Sequence, residues 1–148
     1  MSQMHKLICA SVVYYKMFTM IENLEQRIND SETRVFKAIF PGDTNHYDTL
    51  FGGEAMRIMD ETTFIAATRF SRKRMVTVSS DKIDFKKPIP HGTILEAIAR
   101  VEHVGNTSIR VRVKVYVEQM YSQEREKAIE GVFTLVAVDE NKKPVTIV

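Results

Sequence analysis

The chain has 148 residues, of which 44% are hydrophobic and 27% are charged, and its formal net charge is +2. These values are typical of one globular domain, and the small net charge gives no support for a nucleic-acid partner. Cys9 is the only cysteine, which excludes an internal disulfide and gives no support for a cysteine-bound metal. A reducing cytoplasm is therefore the default compartment. The four histidines are scattered without the spacing of metal ligands.

Residues 1–33 are predicted to form an N-terminal extension that is helical or partly disordered. An apolar run from Leu7 to Tyr15 is far too short to span a bilayer, and no clean signal-peptide cleavage site follows it. Residues 21–33 are polar with apolar side chains at helical spacing, which predicts a short helix or a frayed leader. The change in composition near Met20 also suggests an over-long gene start, which mass spectrometry of the native N-terminus would test.

Residues 34–148 predict one helix and about five strands. The predicted strands are Arg34 to Phe40, Met75 to Phe85, Thr93 to Val104, Thr107 to Gln119 and Lys127 to Asp139, and the helix runs from Glu54 to about Phe70. Gly105 and Asn106 form a two-residue hairpin signal. We expect one α+β domain with the helix on a mostly antiparallel sheet. The unpaired edge of such a sheet favours a symmetric dimer.

The start of this helix is the most informative stretch of the chain. Gly52 and Gly53 permit close approach of a ligand, and the unpaired N–H groups of a first helical turn form a donor site for a carbonyl oxygen or an anion. Asp60 lies at the edge of the apolar face, on nearly the same side as Gly53. The pattern fits a catalytic base or nucleophile. It also fits an ordinary boundary carboxylate paired with Arg57, which is the commoner situation.

Three motifs occur in order, namely Asp43-Thr44-Asn45, Phe51-Gly52-Gly53 and Met59-Asp60-Glu61. Together they resemble the hotdog-fold acyl-CoA thioesterases, in particular the YciA-type bacterial enzymes and the cytosolic acyl-CoA hydrolases of animals. The resemblance covers roughly residues 34–148. It implies a hotdog fold, with one long central helix wrapped by the sheet. It also implies hydrolysis of fatty acyl-CoA to a free acid and CoA, with no cofactor beyond the CoA of the substrate, and dimers commonly assembled as a trimer of dimers.

The resemblance also implies roles for individual residues. Asp60 is the expected catalytic carboxylate, and Asn45 faces it from the other subunit. The interpretation of the helix start adds Gly53, with Gly52, as the expected oxyanion donor. The acyl chain is expected along the helix beside Met56, Met59 and Phe64. Pantetheine is expected along exposed strand backbone and the hairpin turn. The expected substrate-binding residues are Phe51, Gly52, Met56, Thr77, Ser79, Gly105, Asn106, Thr107 and Ser108.

Two other functions stay open at this point. A hotdog dehydratase needs a histidine and an acid, and only His46 is near the motifs in sequence. A non-catalytic hotdog protein would bind acyl-CoA without turnover. The threonines and phenylalanine that follow Glu61 stand where family members often have small residues, so the preferred acyl length is open as well.

Overall fold

The computed structural model describes residues 3–148, which contain two α-helices, one short 3-10 helix and five strands. The helices are α1 (Gln3–Ser31) and α2 (Gly52–Ser71), and the 3-10 turn is Pro41–Asp43. The strands are β1 (Thr33–Ala38), β2 (Met75–Phe85), β3 (Thr93–Val104), β4 (Ser108–Gln119) and β5 (Arg125–Ala137). The chain divides into two compact units, of which the second comprises Ser31–Val148.

The first unit contains nearly all of α1, a helix of 29 residues. It is longer than the short helix predicted over residues 21–33, because apolar side chains recur at helical spacing through the preceding segment as well. Neither of the helices in the described range is long and apolar enough to cross a membrane.

The second unit is a five-stranded sheet in the order β1-β3-β4-β5-β2, with every neighbouring pair antiparallel. The strict alternation in β4 buries one face, from Ile109 to Val117 at every second position. Helix α2 packs on that face and contacts all five strands. This arrangement confirms the hotdog fold expected from the motifs.

The side of α2 that faces the sheet is tightly buried. Met59, Ala66 and Ala67 are 0% exposed. Thr62 and Thr63 are also buried, and their hydroxyl groups donate to the carbonyl oxygens of Ile58 and Asp60 at 2.6 and 2.9 Å. Because these bonds satisfy the hydroxyl groups, two polar side chains can lie in an otherwise apolar core.

The outer face of the sheet carries charges that are mostly paired. Glu96 is only 5% exposed and receives hydrogen bonds from Arg34 and Arg125 at 3.0 and 2.6 Å. Two residues on this face, Lys127 and Arg112, hold the pKa of the Glu130 carboxyl below its usual value. The basic residues that alternate along the outer face of β4 are thus partly neutralised by acidic side chains of the neighbouring strands.

Strand β2 forms one edge of the sheet and is exposed along most of its length. Val78 and Phe85 on this strand are 56% and 54% exposed, and Phe64 on α2 is 43% exposed. An uncovered edge strand offers unpaired backbone groups to another chain. The apolar side chains along it extend the surface that such a chain would cover.

A test of the packing between α2 and the sheet is the substitution Gly131→Ala in β5. A Cβ atom at this position would lie 2.8 Å from Cγ1 of Ile83 and 3.3 Å from Cε of Met59. We expect the free energy of unfolding to fall by about 1–3 kcal/mol, as is typical of overpacking. Urea unfolding at one fixed protein concentration measures this change.

Gly42→Ala is the matched control, since no heavy atom lies within 4 Å of its added Cβ. We expect its effect to stay within about 0.5 kcal/mol. Equal stabilities for the two variants would contradict tight packing at Gly131.

Candidate active site

Helix α2 begins with backbone donors that no acceptor in the described part of the chain uses. The residue before it, Phe51, provides no side-chain cap, and the first helical bond runs from the Ala55 N–H to the Phe51 carbonyl at 2.9 Å. Within residues 3–148, the N–H groups of Gly52 and Gly53 have no acceptor. Gly53 is exposed, with no heavy atom within 4 Å of its Cβ position. An oxygen atom can therefore reach these donors, where the helix dipole favours negative charge.

Asp60 lies about two turns further along the helix, at the edge of the buried face. Its carboxylate accepts a hydrogen bond from the Thr77 hydroxyl, with 2.7 Å between Thr77 Oγ1 and Asp60 Oδ1. Thr77 belongs to β2 and pairs with Leu135 of β5, which is fully buried under the helix. The Thr77 side chain is therefore on the helix side of the sheet and fixes one oxygen of the carboxylate.

Arg57 does not pair with Asp60. Its guanidinium group instead bonds Glu54 through Nη2 at 2.8 Å and Glu61 through Nη1 at 3.0 Å. Its hydrogen bonds to Glu54 lower the pKa of that carboxyl group. The interpretation of Asp60 as half of an ion pair with Arg57 is thus wrong, because both acidic neighbours of Arg57 lie on the solvent side of the helix, at positions three and four residues away.

An open cleft of about 460 Å³ lies between α2 and β2. It brings together five of the residues expected at the site, which are Gly53, Met56, Asp60, Thr77 and Ser79. Arg57, Val78, Ser80 and Phe133 also line it. The helix start at Gly53, an anchored carboxylate and apolar walls thus share one solvent-accessible space, which is the usual composition of a small-molecule site.

A β-bulge shapes the strand side of this cleft. Thr77 pairs with Leu135 and Ser79 pairs with Thr134, so Val78 is an extra residue without a partner. A bulge bends the strand and redirects the side chains around it. The sequence of β2 gives no signal for this bulge. The sequence predicts pantetheine along the strand backbone from Thr77 to Ser79, so Ser80 is the residue of β2 in the cleft that it does not predict.

Asn45 lies in the loop before α2 and not in the cleft of its own chain. Its Oδ1 accepts hydrogen bonds from the Tyr47 N–H at 2.9 Å and from the Thr49 hydroxyl at 3.2 Å. Asp43 anchors the same loop. The Phe40 N–H and Lys37 bond its carboxylate and lower its pKa. A single chain therefore holds Asn45 in place but does not bring it to Asp60.

Other expected residues also lie away from the cleft. Phe51 is 54% exposed beside the helix start. The turn from Gly105 to Ser108 is closed by a 2.8 Å backbone bond between those two residues, and its Asn106 carbonyl accepts from the Ile147 N–H. Met59 is 0% exposed and belongs to the core, so it does not line a groove for an acyl chain. The helix turns Met59 toward the sheet and Asp60, the next residue, toward its edge.

The described residues include no group of histidine, cysteine, aspartate or glutamate side chains that could hold a metal ion. His46 is exposed and stacks on Tyr47, with 3.9 Å between the ring centroids. It does not line the cleft, and among the residues that the structure describes no histidine lines it.

Residues 47–123 match the thioesterase superfamily. Many known proteins are similar to this chain, and three of them illustrate the range. YkhA of Bacillus subtilis, an uncharacterized acyl-CoA thioester hydrolase, is 42% identical over 118 residues, which are 78% of this chain and 69% of YkhA. The acyl-CoA hydrolase of Staphylococcus aureus, solved with butyryl-CoA and CoA, superposes with a TM-score of 0.77 and is 34% identical. The match covers 80% of this chain and 73% of the hydrolase chain. HI0827, a hexameric broad-specificity acyl-CoA thioesterase, superposes with a TM-score of 0.71 and is 35% identical. The match covers 77% of this chain and 79% of the HI0827 chain.

The Staphylococcus aureus hydrolase has also been solved as three alanine variants, in which an asparagine, an aspartate or a threonine is replaced. The asparagine and the aspartate are as far apart in that sequence as Asn45 and Asp60 are here. The aspartate and the threonine are as far apart as Asp60 and Thr77. The spacing of the three altered residues in that enzyme therefore matches three residues of this chain.

Proposed function

The chain belongs to the thioesterase superfamily, and we propose that it hydrolyses the thioester of acyl-CoA to a free acid and CoA. The observation that carries the proposal is that one cleft is lined both by the Asp60 carboxylate, which Thr77 fixes, and by Gly53 with its unpaired N–H group. Hydrolysis needs an anionic group to deliver oxygen to the carbonyl carbon and donors to receive the charge that develops on the carbonyl oxygen. The cleft contains both.

The chemistry starts with the thioester carbonyl oxygen bonded to the N–H groups at Gly52 and Gly53. In one route Asp60 takes a proton from water as the oxygen of that water attacks the carbonyl carbon. The oxyanion then reforms the carbonyl, the C–S bond breaks, and the CoA sulfur leaves with the proton from Asp60. In the other route the Asp60 carboxylate attacks first and expels the thiolate, and water then hydrolyses the resulting anhydride. Both routes consume one water molecule and give the same products.

We place the complete site at an interface between two copies. Asp60 lies in a cleft beside the uncovered edge strand β2, and Asn45 is held elsewhere in the same chain. Pairing of the β2 edges of two copies about a two-fold axis perpendicular to the strands would cover Val78 and Phe85. We propose that this pairing also brings the Asn45 loop of one copy to the cleft of the other. The hexameric state of HI0827 supports further assembly into a trimer of dimers.

In this assembly the acyl group contacts Met56 beside Asp60, and pantetheine follows the backbone from Thr77 to Ser79. Phe51 and the Gly105–Ser108 turn contact substrate only in the assembled enzyme, since neither lines the cleft of one chain. The reaction uses no cofactor, because the CoA is part of the substrate. We place the enzyme in the cytoplasm, in keeping with a single cysteine that is free and exposed.

A thiol-release screen tests the activity directly. Purified protein is incubated with acyl-CoA esters from acetyl to palmitoyl, and free CoA is measured with a thiol reagent. We expect thiol release in step with free acid. Tight binding of acyl-CoA without thiol release would show a binding protein. Loss of water from a hydroxyacyl-CoA, again without thiol, would show a dehydratase.

The shared site predicts complementation between two inactive variants. Asp60→Asn removes the base or nucleophile and should lower kcat about 10²–10⁴-fold, and Asn45→Ala should remove its partner. In a mixed dimer one site carries both substitutions and the other carries neither. Random exchange makes about half of the dimers mixed, so roughly a quarter of wild-type activity should return.

Native mass spectrometry serves as the control, because it counts the mixed dimers independently of activity. Mixed dimers that recover no activity would contradict a site shared between subunits. If the wild-type protein still hydrolyses acyl-CoA in that case, the proposed activity is retained and all catalytic groups belong to one chain.

Thr77 should act by positioning Asp60, and a pair of variants tests this role. Thr77→Val keeps the shape but removes the hydroxyl group, whereas Thr77→Ser keeps the hydroxyl. Because a hydrogen bond to a charged group contributes about 1.5–3 kcal/mol, we expect Thr77→Val to lower kcat roughly tenfold or more. KM should change little, and Thr77→Ser should restore most of the activity. A Thr77→Val enzyme with wild-type kcat would show that the bond has no role in turnover.

A further inference from the structure

Helix α1 carries a long series of apolar side chains that are exposed to solvent. Leu7, Tyr14, Met17 and Ile21 are 70%, 73%, 55% and 55% exposed. Eight more large apolar residues between Met4 and Leu24 are similarly exposed, namely Met4, Ile8, Val12, Val13, Tyr15, Phe18, Met20 and Leu24. A continuous apolar surface of this kind usually marks a contact with another molecule.

The local sequence of α1 does not favour a helix in isolation. Residues Val12 to Tyr15 are β-branched or aromatic, and these residue types lose side-chain freedom in a helix. Most of the stability of helices in proteins comes from packing of an apolar face rather than from intrinsic propensity. A helix of 29 residues with this composition therefore needs a partner.

The spacing of the apolar residues identifies the kind of partner. Apolar residues occupy alternating steps of three and four along the helix, at Leu7, Ala10, Tyr14, Met17, Ile21, Leu24 and Ile28. These are the a and d positions of a heptad repeat, and no charged residue interrupts them. Val13, Phe18 and Met20 widen the same stripe at the adjacent e and g positions. A heptad sustained over about three repeats is the pattern by which one helix packs along another.

The charges on α1 do not favour a lipid surface. Within Gln3–Ser31 three basic residues, Lys6, Lys16 and Arg27, are balanced by three acidic ones, Glu22, Glu25 and Asp30. Helices that lie on anionic membranes instead carry an excess of lysine and arginine on their polar face. An identical heptad on a second copy of this chain is available at high local concentration once the copies assemble.

We propose that α1 is an assembly helix that packs along the α1 of a second copy of this chain through the Leu7–Ile28 heptad. This contact is separate from the β2 edge and does not depend on the chemistry of the cleft. It gives a function to a segment that lies outside the matched thioesterase region, which begins at residue 47.

Disulfide cross-linking in the full-length protein tests the contact, in a Cys9→Ser background that has no other cysteine. Ala10→Cys places one cysteine at a d position, where parallel helices bring the two copies together. The double variant Tyr14→Cys with Leu24→Cys places an a residue opposite a d residue in an antiparallel pair. Val12→Cys, and Val12→Cys with Gln26→Cys, are the matched controls on the opposite face of α1.

After mild oxidation, we expect one of the two heptad variants to form the linked dimer at least about tenfold faster than its control, since disulfides need Cα atoms within about 7 Å. Thiol release from acyl-CoA and helix content by circular dichroism should match the Cys9→Ser protein, which confirms that the variants fold. Linking of the heptad variants no faster than the controls overturns the proposal. Sedimentation of the unlinked protein with vesicles of equimolar phosphatidylcholine and phosphatidylglycerol would then identify a lipid surface as the partner.

Discussion

One face of α2 is buried against five strands, and this burial fixes the rotation of the helix about its axis. Met59 points into the sheet, so the next residue, Asp60, must point to the edge where β2 lies. The same rotation keeps Arg57 among acidic residues on the solvent side. The apolar contact of the helix thus decides which carboxylate reaches the cleft and which carboxylates are neutralised by arginine.

One wall of the cleft is the regular helix α2, and the other is the edge strand β2, whose pairing with β5 is interrupted by a bulge. The helix wall is regular, and its donors are available because a helix leaves its first N–H groups unpaired. The strand wall is irregular, because the bulge at Val78 interrupts the ladder between β2 and β5 just after Thr77. Thr77 therefore keeps its place in the buried register and bonds Asp60, while the residues after it are free to line an open edge.

Much of this architecture follows from the sequence, and the parts that do not have identifiable causes. Strands β2 and β3 have the predicted bounds, because turn residues mark their ends. The bond between Thr77 and Asp60 joins residues that are 17 apart in sequence and lie on different elements, so it depends on the packing of α2 against β2, which the sequence pattern does not give. The full length of α1 is also hard to predict, since the β-branched and aromatic residues from Val12 to Tyr15 have low helix propensity and interrupt the local signal.

The separation of Asn45 from the cleft has a consequence for the life of the protein in the cell. A newly synthesised chain has the carboxylate and the backbone donors but lacks the amide that completes the proposed site. If the site forms between two copies as proposed, such a chain is a latent hydrolase that becomes active only when it meets another copy. Turnover of the acyl-CoA pool would then rise more steeply than in proportion to expression at low protein levels, and would approach proportionality once assembly is complete.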